Sequence, residues 1–237
     1  MTQHTTTAFD SDLREIGDAI VDMGARTQKQ IVEAFDALVQ GNARLAQSVR
    51  VADAAVDGLQ QDVEMKAIGT IARRQPLAAD LREIVGALRI AIDLERIGDL
   101  AVNIAKRAEQ IGDEKWADDI TVSLKAMTER VLGQLRRVID SYARRDLEEA
   151  LGVWASDEEV DALHNSIFRQ LLTYMMEDPG NISLGMHLLF CAKNIERIGD
   201  HTTNIAESVH YIMQGGAIPG ERPKISAIPV NNPAAYH

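Results

Sequence analysis

The sequence predicts an all-α protein built from two tandem antiparallel three-helix bundles that arose by internal duplication. The segment at residues 95–105 recurs at residues 196–206 with eight of eleven positions identical. Apolar residues follow the helical period over long stretches of both halves. Hydrophobic residues make up 46% of the chain but aromatic residues only 4%, a composition that suits slender helical bundles better than a β-rich fold.

The first helix of each half extends the duplication beyond this repeated segment. Near the start of the chain, apolar residues are spaced so that they lie on one face of a helix, and the same spacing recurs 104 positions later. The first set is Leu13, Ile16, Ile20, Met23, Ile31, Ala34 and Leu38, with Thr27 in one slot, and the second is Ile120, Leu124, Met127, Val131, Leu135, Val138 and Tyr142. Each set predicts one long amphipathic helix.

Turn-forming residues separate the predicted helices. Proline is tolerated in the first turn of a helix, so Pro76 and Pro179 predict helix starts. Asp146, with Glu149 three residues later, resembles a capping box, and Asp178 is placed to cap the helix that Pro179 begins. Breaks are expected at 41–42, 75–76, 112–113, 146 and 178–180.

These breaks predict six helices, three in each half. We expect a first bundle at residues 1–111, a second bundle at 112–214 and an irregular tail at 215–237. Long helices joined by short turns pack as antiparallel bundles. Four of the six prolines lie in the tail, which has no counterpart in the first half and receives no predicted function.

Charge and cysteine content narrow the classes of function. The net charge of -11 disfavours nonspecific attraction to nucleic acid or to an anionic membrane, and it favours cationic partners such as metal ions. The single cysteine, Cys191, excludes an internal disulfide. Because the sequence has neither a signal-like start nor a run of 18 apolar residues, we expect a cytoplasmic protein without membrane insertion.

Acidic residues recur at helical spacing within the duplication. Acids and an amide four residues apart lie on one face of the third helix, and an Asp-x-x-Val-Asp pattern lies on the helix before it. Both features return in the second half, where the corresponding helices are again neighbours. The first cluster is Asp53, Asp57, Glu95, Asp99 and Asn103, and the second cluster is Asp157, Asp161, Glu196, Asp200 and Asn204.

The chemistry of these side chains predicts a cation at each cluster. Like charges four residues apart weaken a helix by about 0.2–0.5 kcal/mol per pair, a cost that a cation removes. Carboxylate and amide oxygens are hard ligands that suit iron, manganese, magnesium or calcium, and zinc is also compatible. The alternative is a solvated acidic face with Arg96 and Arg197 as surface partners. The mid-helix glycines Gly98 and Gly199 indicate either close helix packing or close approach to the sites.

The paired Glu-Arg-Ile-Gly-Asp-x-x-x-Asn-Ile-Ala motifs, with Asp-x-x-x-Asp on the preceding helices, closely resemble the PhoU family of phosphate-transport regulators over about residues 10–214. The resemblance implies two tandem three-helix bundles and, as in some members, acidic motifs that bind multinuclear metal clusters. It implies metal-ligand roles for Asp53, Asp57, Glu95, Asp99, Asp157, Asp161, Glu196 and Asp200.

The resemblance also implies a function. Members of the family repress the phosphate-starvation response when phosphate is plentiful and restrain phosphate uptake, and they act as adaptors rather than enzymes. The implied partners are the ATPase subunit of the phosphate ABC transporter and the membrane histidine kinase that senses phosphate. Helix faces rich in small residues also permit a homodimer.

The two repeats depart from each other at the clusters. Glu158 and Glu159 stand where the first half has alanines, and His201 stands where the first half has Leu100. We therefore expect the second cluster to be richer in ligands, and the two clusters need not bind the same metal. His201 lies about 100° off the acidic stripe, so a role in a hydrogen-bond network is favoured over a ligand role.

One alternative function is a carboxylate-bridged di-iron oxidase. Glu207 and His210 form the Glu-x-x-His spacing that such helical bundles use twice. The corresponding residues of the first half are Lys106 and Glu109, so the second copy of the motif is missing. His164, His187 and Cys191 are interpreted as packing or surface residues.

Overall fold

The structure, a computed structural model, describes residues 2–220 and 222, with side chains described from residue 9 onward. This part of the chain is helical and contains no strand. Its elements are α1 (Thr2–Gln40), α2 (Ala43–Arg74), α3 (Ala79–Ile111), α4 (Asp118–Arg144), α5 (Leu147–Ala155), α6 (Asp157–Glu177), a 3-10 turn (Pro179–Asn181) and α7 (Ile182–Gln214). The predicted all-α fold is confirmed.

All six predicted helical segments are present, and the fifth is interrupted at Ser156, between α5 and α6. The interruption is stabilised from α4, where the buried Gln134 Nε2 donates to Ser156 O and to Ser156 Oγ, each at 2.9 Å. Ser156 Oγ itself donates to Val153 O at 2.8 Å. Ser156 O also accepts from Glu159 N at 3.3 Å, so Gln134 adds to the local hydrogen bonds and links the break to α4.

Side-chain caps fix several helix starts where the sequence predicts them. Asp146 accepts a hydrogen bond from Glu149 N at 3.1 Å, as a capping residue does. The Glu149 side chain does not complete the capping box, because it pairs with Arg137 of α4. Asp178 accepts from Gly180 N at 2.8 Å at the start of the 3-10 turn that leads into α7.

Pro76 does not start a helix, which corrects the prediction. It lies in the connection between α2 and α3, and α3 begins at Ala79. Gln75 and Ala78 both have positive φ, 49° and 45°, so the chain reverses direction on both sides of the proline before the helix forms.

The two halves pack along α3 against α7 and along α1 against α4. Glycines allow this close approach. A Cβ at Gly24 of α1 would lie 2.9 Å from Ile139 of α4, and a Cβ at Gly86 of α3 would overlap Ile212 of α7. Both glycines belong to the first half and both isoleucines to the second, so close packing joins the bundles into one body.

The segment after α7 is irregular in residues 215–220. Residue 221 and residues 223–237, which contain three of the tail prolines, lie outside the described residues. α3 and α7 end at Ile111 and Gln214, while the domain boundaries placed there stay a prediction. Among the helices described, none combines the length and the hydropathy that a membrane span requires.

Candidate functional site

The first cluster lies where α2 packs against α3. Asp53 and Asp57 flank the buried Val56 on α2, and Glu95 and Asp99 come from the facing part of α3. All four carboxylates belong to partly buried side chains. The predicted pairing of the second and third helices therefore brings these acids to one interface.

Burial and neighbouring negative charges raise the pKa values of two acids in the first cluster, Asp53 and Glu95. Burial raises the pKa of Asp53, and the negative charges of Asp57 and Asp99 raise it further. A hydrogen bond from Gln30 and, to a smaller extent, the charge of Lys106 oppose this rise without cancelling it. Asp53 is thus harder to ionise than an ordinary aspartate, as expected for an acidic site without its own buried cation.

Glu95 shows the same behaviour. Burial raises its pKa, and the charge of Asp99 adds to the rise, followed by smaller contributions from Asp57 and Asp53. Arg96 opposes the shift, but it lies on the exposed side of α3, 3.5 Å from Glu95 and 3.1 Å from Asp99. The four acids therefore form one electrostatic unit at the helix interface.

Gln30 of α1 is part of this site and was missed from the sequence. Only 2% of Gln30 is exposed, and its Nε2 donates to Asp53 Oδ1 at 3.0 Å. Its Oε1 is buried and has no hydrogen-bond partner among the described residues. Gln30 and Gln134 are 104 positions apart, so the repeat offset marks them as an equivalent polar pair within the apolar stripes.

Gly98 leaves the space in which these groups meet. A Cβ at Gly98 would lie 3.0 Å from Asp53 Oδ1 and 3.2 Å from Gln30 Oε1. This contact supports close approach to the site as the reason for the mid-helix glycine. At Gly199 the equivalent Cβ would meet Val160 Cγ1 at 3.2 Å, which is a close helix contact instead.

Asn103 does not share the environment of the four acids. It lies on α3 one turn beyond Asp99, and its side chain is exposed. Its counterpart Asn204 is partly buried and accepts and donates hydrogen bonds, so the two predicted amide ligands differ in their surroundings.

The second cluster contains a positively charged side chain. Arg222, beyond the end of α7, donates from Nε to Asp157 Oδ2 at 2.7 Å and from Nη2 to Asp157 Oδ1 at 2.8 Å. The same Nη2 lies 2.9 Å from Asp200 Oδ1, and Nη1 lies 3.3 Å from Asn204 Oδ1. Three of the five predicted ligands of the second cluster therefore contact one guanidinium.

Burial and neighbouring negative charges have opposite effects on the pKa of Arg222. Burial alone would lower its pKa, but the hydrogen bond and charge of Asp157, together with the charge of Asp200, outweigh burial and raise it. Asp157 is only 4% exposed and also accepts from Thr203 Oγ1 at 2.9 Å. The bidentate contact is the geometry in which arginine binds carboxylates most strongly.

A second cation, Lys193, contacts an acid of this cluster. Lys193 Nζ donates to Glu196 Oε2 at 2.6 Å from one turn earlier on α7. The equivalent position in the first half is Ile92. His164 of α6 lies near Glu196, whose charge opposes the lowering of the His164 pKa by burial.

The expected additional ligands of the second cluster lie elsewhere, which corrects the prediction that this cluster is richer in ligands. Glu158 and Glu159 are exposed, and Glu159 pairs with Arg130 of α4 at 2.8 Å. His201 Nδ1 donates to Asp93 Oδ1 of α3 at 2.8 Å. The favoured hydrogen-bond role of His201 is thus present, and it links the two halves.

The Glu-x-x-His pair behind the oxidase alternative does not form a joint site. Glu207 Oε1 accepts from Trp154 Nε1 at 3.1 Å, whereas the buried His210 donates from Nδ1 to Gly216 O at 3.1 Å. The two side chains therefore form hydrogen bonds with different partners.

The donor chemistry of the first cluster fits a hard metal ion. It offers carboxylate oxygens that repel each other, a buried unpaired amide oxygen on Gln30 and a space kept open by Gly98. No group of three His, Cys, Asp or Glu side chains within the described part of the chain is already arranged to hold a metal. Metal binding would therefore require these side chains to converge.

The fold and the two clusters define a tandem helical-bundle protein with an acidic site at corresponding places in each half. A family model described as the PhoU domain matches residues 11–108 and 124–209, one match in each half. The chain belongs to the PhoU family, which confirms the resemblance seen in its motifs.

Curated relatives match over nearly the whole chain. A phosphate-specific transport system accessory protein PhoU homolog from Rhizobium meliloti is 48% identical over 93% of both chains. A homolog with the same name from Caulobacter vibrioides is 44% identical over 96% of this chain and 99% of its own.

Solved structures show the same architecture. The crystal structure of PhoU from Pseudomonas aeruginosa matches with a TM-score of 0.84 and 36% identity, covering 88% of this chain and all of the other. A phosphate transport system regulatory protein PhoU from Streptococcus pneumoniae matches with a TM-score of 0.82 over 89% of this chain and 99% of its own, and its 24% identity supports the fold alone.

Proposed function

We propose that this protein is an accessory regulator of phosphate transport that represses the phosphate-starvation response and restrains phosphate uptake when phosphate is plentiful. The observation that carries the proposal is the full-length similarity to relatives named as phosphate-specific transport system accessory proteins. The protein acts in the cytoplasm by binding other proteins, and it catalyses no reaction.

A deletion strain tests the regulatory role. Loss of the protein should derepress a phosphate-starvation reporter at high phosphate, and the wild-type gene should restore repression. Unchanged reporter output in the deletion strain would contradict the proposal.

The proposed partners are the ATPase subunit of the phosphate ABC transporter and the phosphate-sensing histidine kinase, and a second copy of the chain is a further candidate. The surface of α2 supports protein docking, because Met65 and Ile68, one turn apart, are 64% and 58% exposed. A helix or loop of a partner would bury these apolar side chains.

Co-purification tests the adaptor role. The tagged protein should retain the ATPase subunit and the kinase, and Met65→Glu/Ile68→Glu should weaken at least one of these interactions. Val122→Glu on α4 is the matched control, since Val122 is equally exposed at 67% but lies on another helix. Failure of the wild-type protein to retain either partner would count against an adaptor.

The first cluster is proposed to bind a divalent or trivalent metal ion, with iron, manganese, magnesium, calcium and zinc all compatible with its oxygen donors. Asp53, Asp57, Glu95 and Asp99 would supply carboxylates, and Gln30 Oε1 would supply an amide oxygen. The metal would provide the positive charge that this cluster lacks in its buried part.

Metal analysis of the purified protein tests this site. Asp53→Asn/Asp99→Asn should lose the metal that the wild-type protein retains. Asp62→Asn is the matched control, because Asp62 is an exposed acid on the same helix as Asp53. Equal metal content in the wild-type and double-variant proteins would contradict the assignment.

A further inference from the structure

We propose that Arg222 is a built-in cation of the second cluster, and that it competes with metal ions for Asp157 and Asp200. The second cluster would then take up metal only when Arg222 withdraws. The competition rests on the metal binding proposed above, but it concerns a different cluster and a residue outside the repeats.

Arg222 forms a largely buried bidentate contact with Asp157, unlike an ion pair on the protein surface. Its Nε and Nη2 contact both oxygens of Asp157, at 2.7 and 2.8 Å. Its Nη2 also reaches Asp200 Oδ1 at 2.9 Å, so one guanidinium joins an acid of α6 to an acid of α7. The side chains of Arg222 and Asp157 are only 18% and 5% exposed, so solvent screens this contact weakly.

Comparison of the halves shows that the contact is specific to the second cluster. Asp53, the counterpart of Asp157, accepts instead from the neutral amide of Gln30. In the second half the equivalent glutamine, Gln134, donates to Ser156. Asp157 therefore forms a hydrogen bond with a charged side chain, Arg222. Among the described residues, the hydrogen bond to Asp53 comes from a neutral side chain instead.

The charge balance of the second cluster opposes metal binding while Arg222 is in place. Arg222 neutralises Asp157 and Asp200, and Lys193 contacts Glu196. The lone pairs that would coordinate a metal accept hydrogen bonds from a cation instead. An incoming metal must first displace the guanidinium, which reduces its apparent affinity.

Arg222 also explains how duplicated motifs can bind cations differently. The acidic motif is repeated, but the segment that supplies Arg222 follows only the second copy. Arg222 is thus a means of controlling metal binding at one copy of the duplicated site. Withdrawal of Arg222 would make the carboxylates of Asp157 and Asp200 accessible to an incoming metal ion.

Manganese titration tests the competition. In a background of Asp53→Asn/Asp99→Asn, in which the first cluster is disabled, calorimetry with Mn²⁺ reports on the second cluster. Arg222→Ala should bind Mn²⁺ about tenfold more tightly or better, the change expected from losing one strong competing contact. Arg222→Lys should give an intermediate affinity, because lysine retains the charge but cannot make the bidentate contact.

Arg130→Ala is the matched control, since it removes the same charge close to the second cluster but pairs with the exposed Glu159. Its Mn²⁺ affinity should stay at the value of the background protein. Equal affinities for Arg222→Ala and the background protein would overturn the proposal, as would the absence of Mn²⁺ binding in Arg222→Ala. Absence of Mn²⁺ binding in the protein with both clusters intact would instead contradict metal binding at the first cluster.

A measurement without metal tests the cation role separately. In a double-mutant cycle of Asp157→Asn and Arg222→Ala, followed by thermal unfolding in the presence of a chelator, the two substitutions should be strongly non-additive. Additive shifts in Tm would overturn the role of Arg222 as the cation of this cluster. Circular dichroism before unfolding verifies that each variant is folded.

Discussion

The two acidic clusters have the same motif residues but opposite electrostatic surroundings. In the first cluster, burial and then neighbouring acids raise the pKa values of Asp53 and Glu95, and among the described residues a neutral glutamine donates a hydrogen bond to Asp53. In the second cluster, Arg222 makes a bidentate contact to Asp157 and also reaches Asp200. The duplicated motif thus determines the positions of the carboxylates. Residues outside the motif determine whether the negative charge of these carboxylates is balanced within the protein or by an external cation.

The largest expected effect is a difference in stability between variants of Asp157 and variants of Asp53. Asp157→Asn should lower the free energy of unfolding of the metal-free protein by about 2 kcal/mol, because it weakens a buried charge-assisted contact. For a chain of this size that corresponds to a loss of about 4–8 °C in Tm. Asp53→Asn should leave Tm unchanged or raise it, since an amide relieves repulsion and still accepts from Gln30.

Thermal unfolding of both variants in a chelator measures this difference. Equal losses of Tm in Asp53→Asn and Asp157→Asn would remove the electrostatic distinction between the clusters.

The next effect distinguishes the two equivalent glutamines. Gln134→Met should cost about 1–2 kcal/mol, since it removes both hydrogen bonds from Gln134 Nε2 to Ser156 and leaves Ser156 O with the longer 3.3 Å bond from Glu159 N. Gln30→Met should be close to neutral, because it also removes a buried oxygen that has no partner among the described residues. Methionine keeps the side-chain volume, so cavities do not obscure the comparison.

Chemical denaturation of the two methionine variants tests this prediction. A larger loss from Gln30→Met than from Gln134→Met would mean that the contact to Asp53 contributes more to stability than the contact at Ser156.

The two mid-helix glycines should differ by a smaller amount. Gly199→Ala brings a Cβ against the buried Val160, a β-branched side chain with little freedom to move, and should cost about 1 kcal/mol. Gly98→Ala meets the ends of the Asp53 and Gln30 side chains, which can shift, so the helical preference for alanine should offset the contact.

The expected consequence of Gly98→Ala is weaker metal binding at near wild-type stability, measured by metal titration beside thermal unfolding. Unchanged metal affinity in this variant would argue that Gly98 serves helix packing alone.

The smallest effect is a pH dependence that arises from the two acids with raised pKa values in the first cluster. The pKa values of Asp53 and Glu95 are raised above their ordinary values of 3.8 and 4.5, so the folded protein binds protons more readily than the unfolded chain. Their contribution to stability is therefore lost as pH rises from about 4 through the raised pKa values. Asp53→Asn should gain stability relative to wild type over this range in the absence of metal.

Paired unfolding curves at pH 4, 5, 6 and 7 provide the measurement. A difference between Asp53→Asn and wild type that does not change with pH would contradict the raised pKa of Asp53.

The sequence predicted the helical segments because their signals are local. The apolar period, the caps at Asp146 and Asp178 and the breaks between helices each depend on residues close in sequence. The prediction from Pro76 failed because the conformations of its neighbours, with positive φ at Gln75 and Ala78, are set by the chain reversal between two packed helices.

The acidic motifs predicted acids on neighbouring helices, but the contacts of individual side chains could not be predicted without the fold. Gln30 joins the first cluster across α1, α2 and α3, so no local pattern places it there. His201 meets Asp93 because α7 packs against α3, and Glu159 meets Arg130 because α6 lies beside α4. Positions along one helix do not determine which neighbouring helix a side chain meets.

The sequence by itself determined the duplication, the all-α architecture and the two sets of acids, since periodicity and repetition are properties of the chain. Only the tertiary structure decided that Arg222 lies on the second cluster and that Gln30 lies on the first. The physical reason is that the charge state of a carboxylate depends on burial and on charges within a few ångströms, which packing brings together from distant parts of the chain.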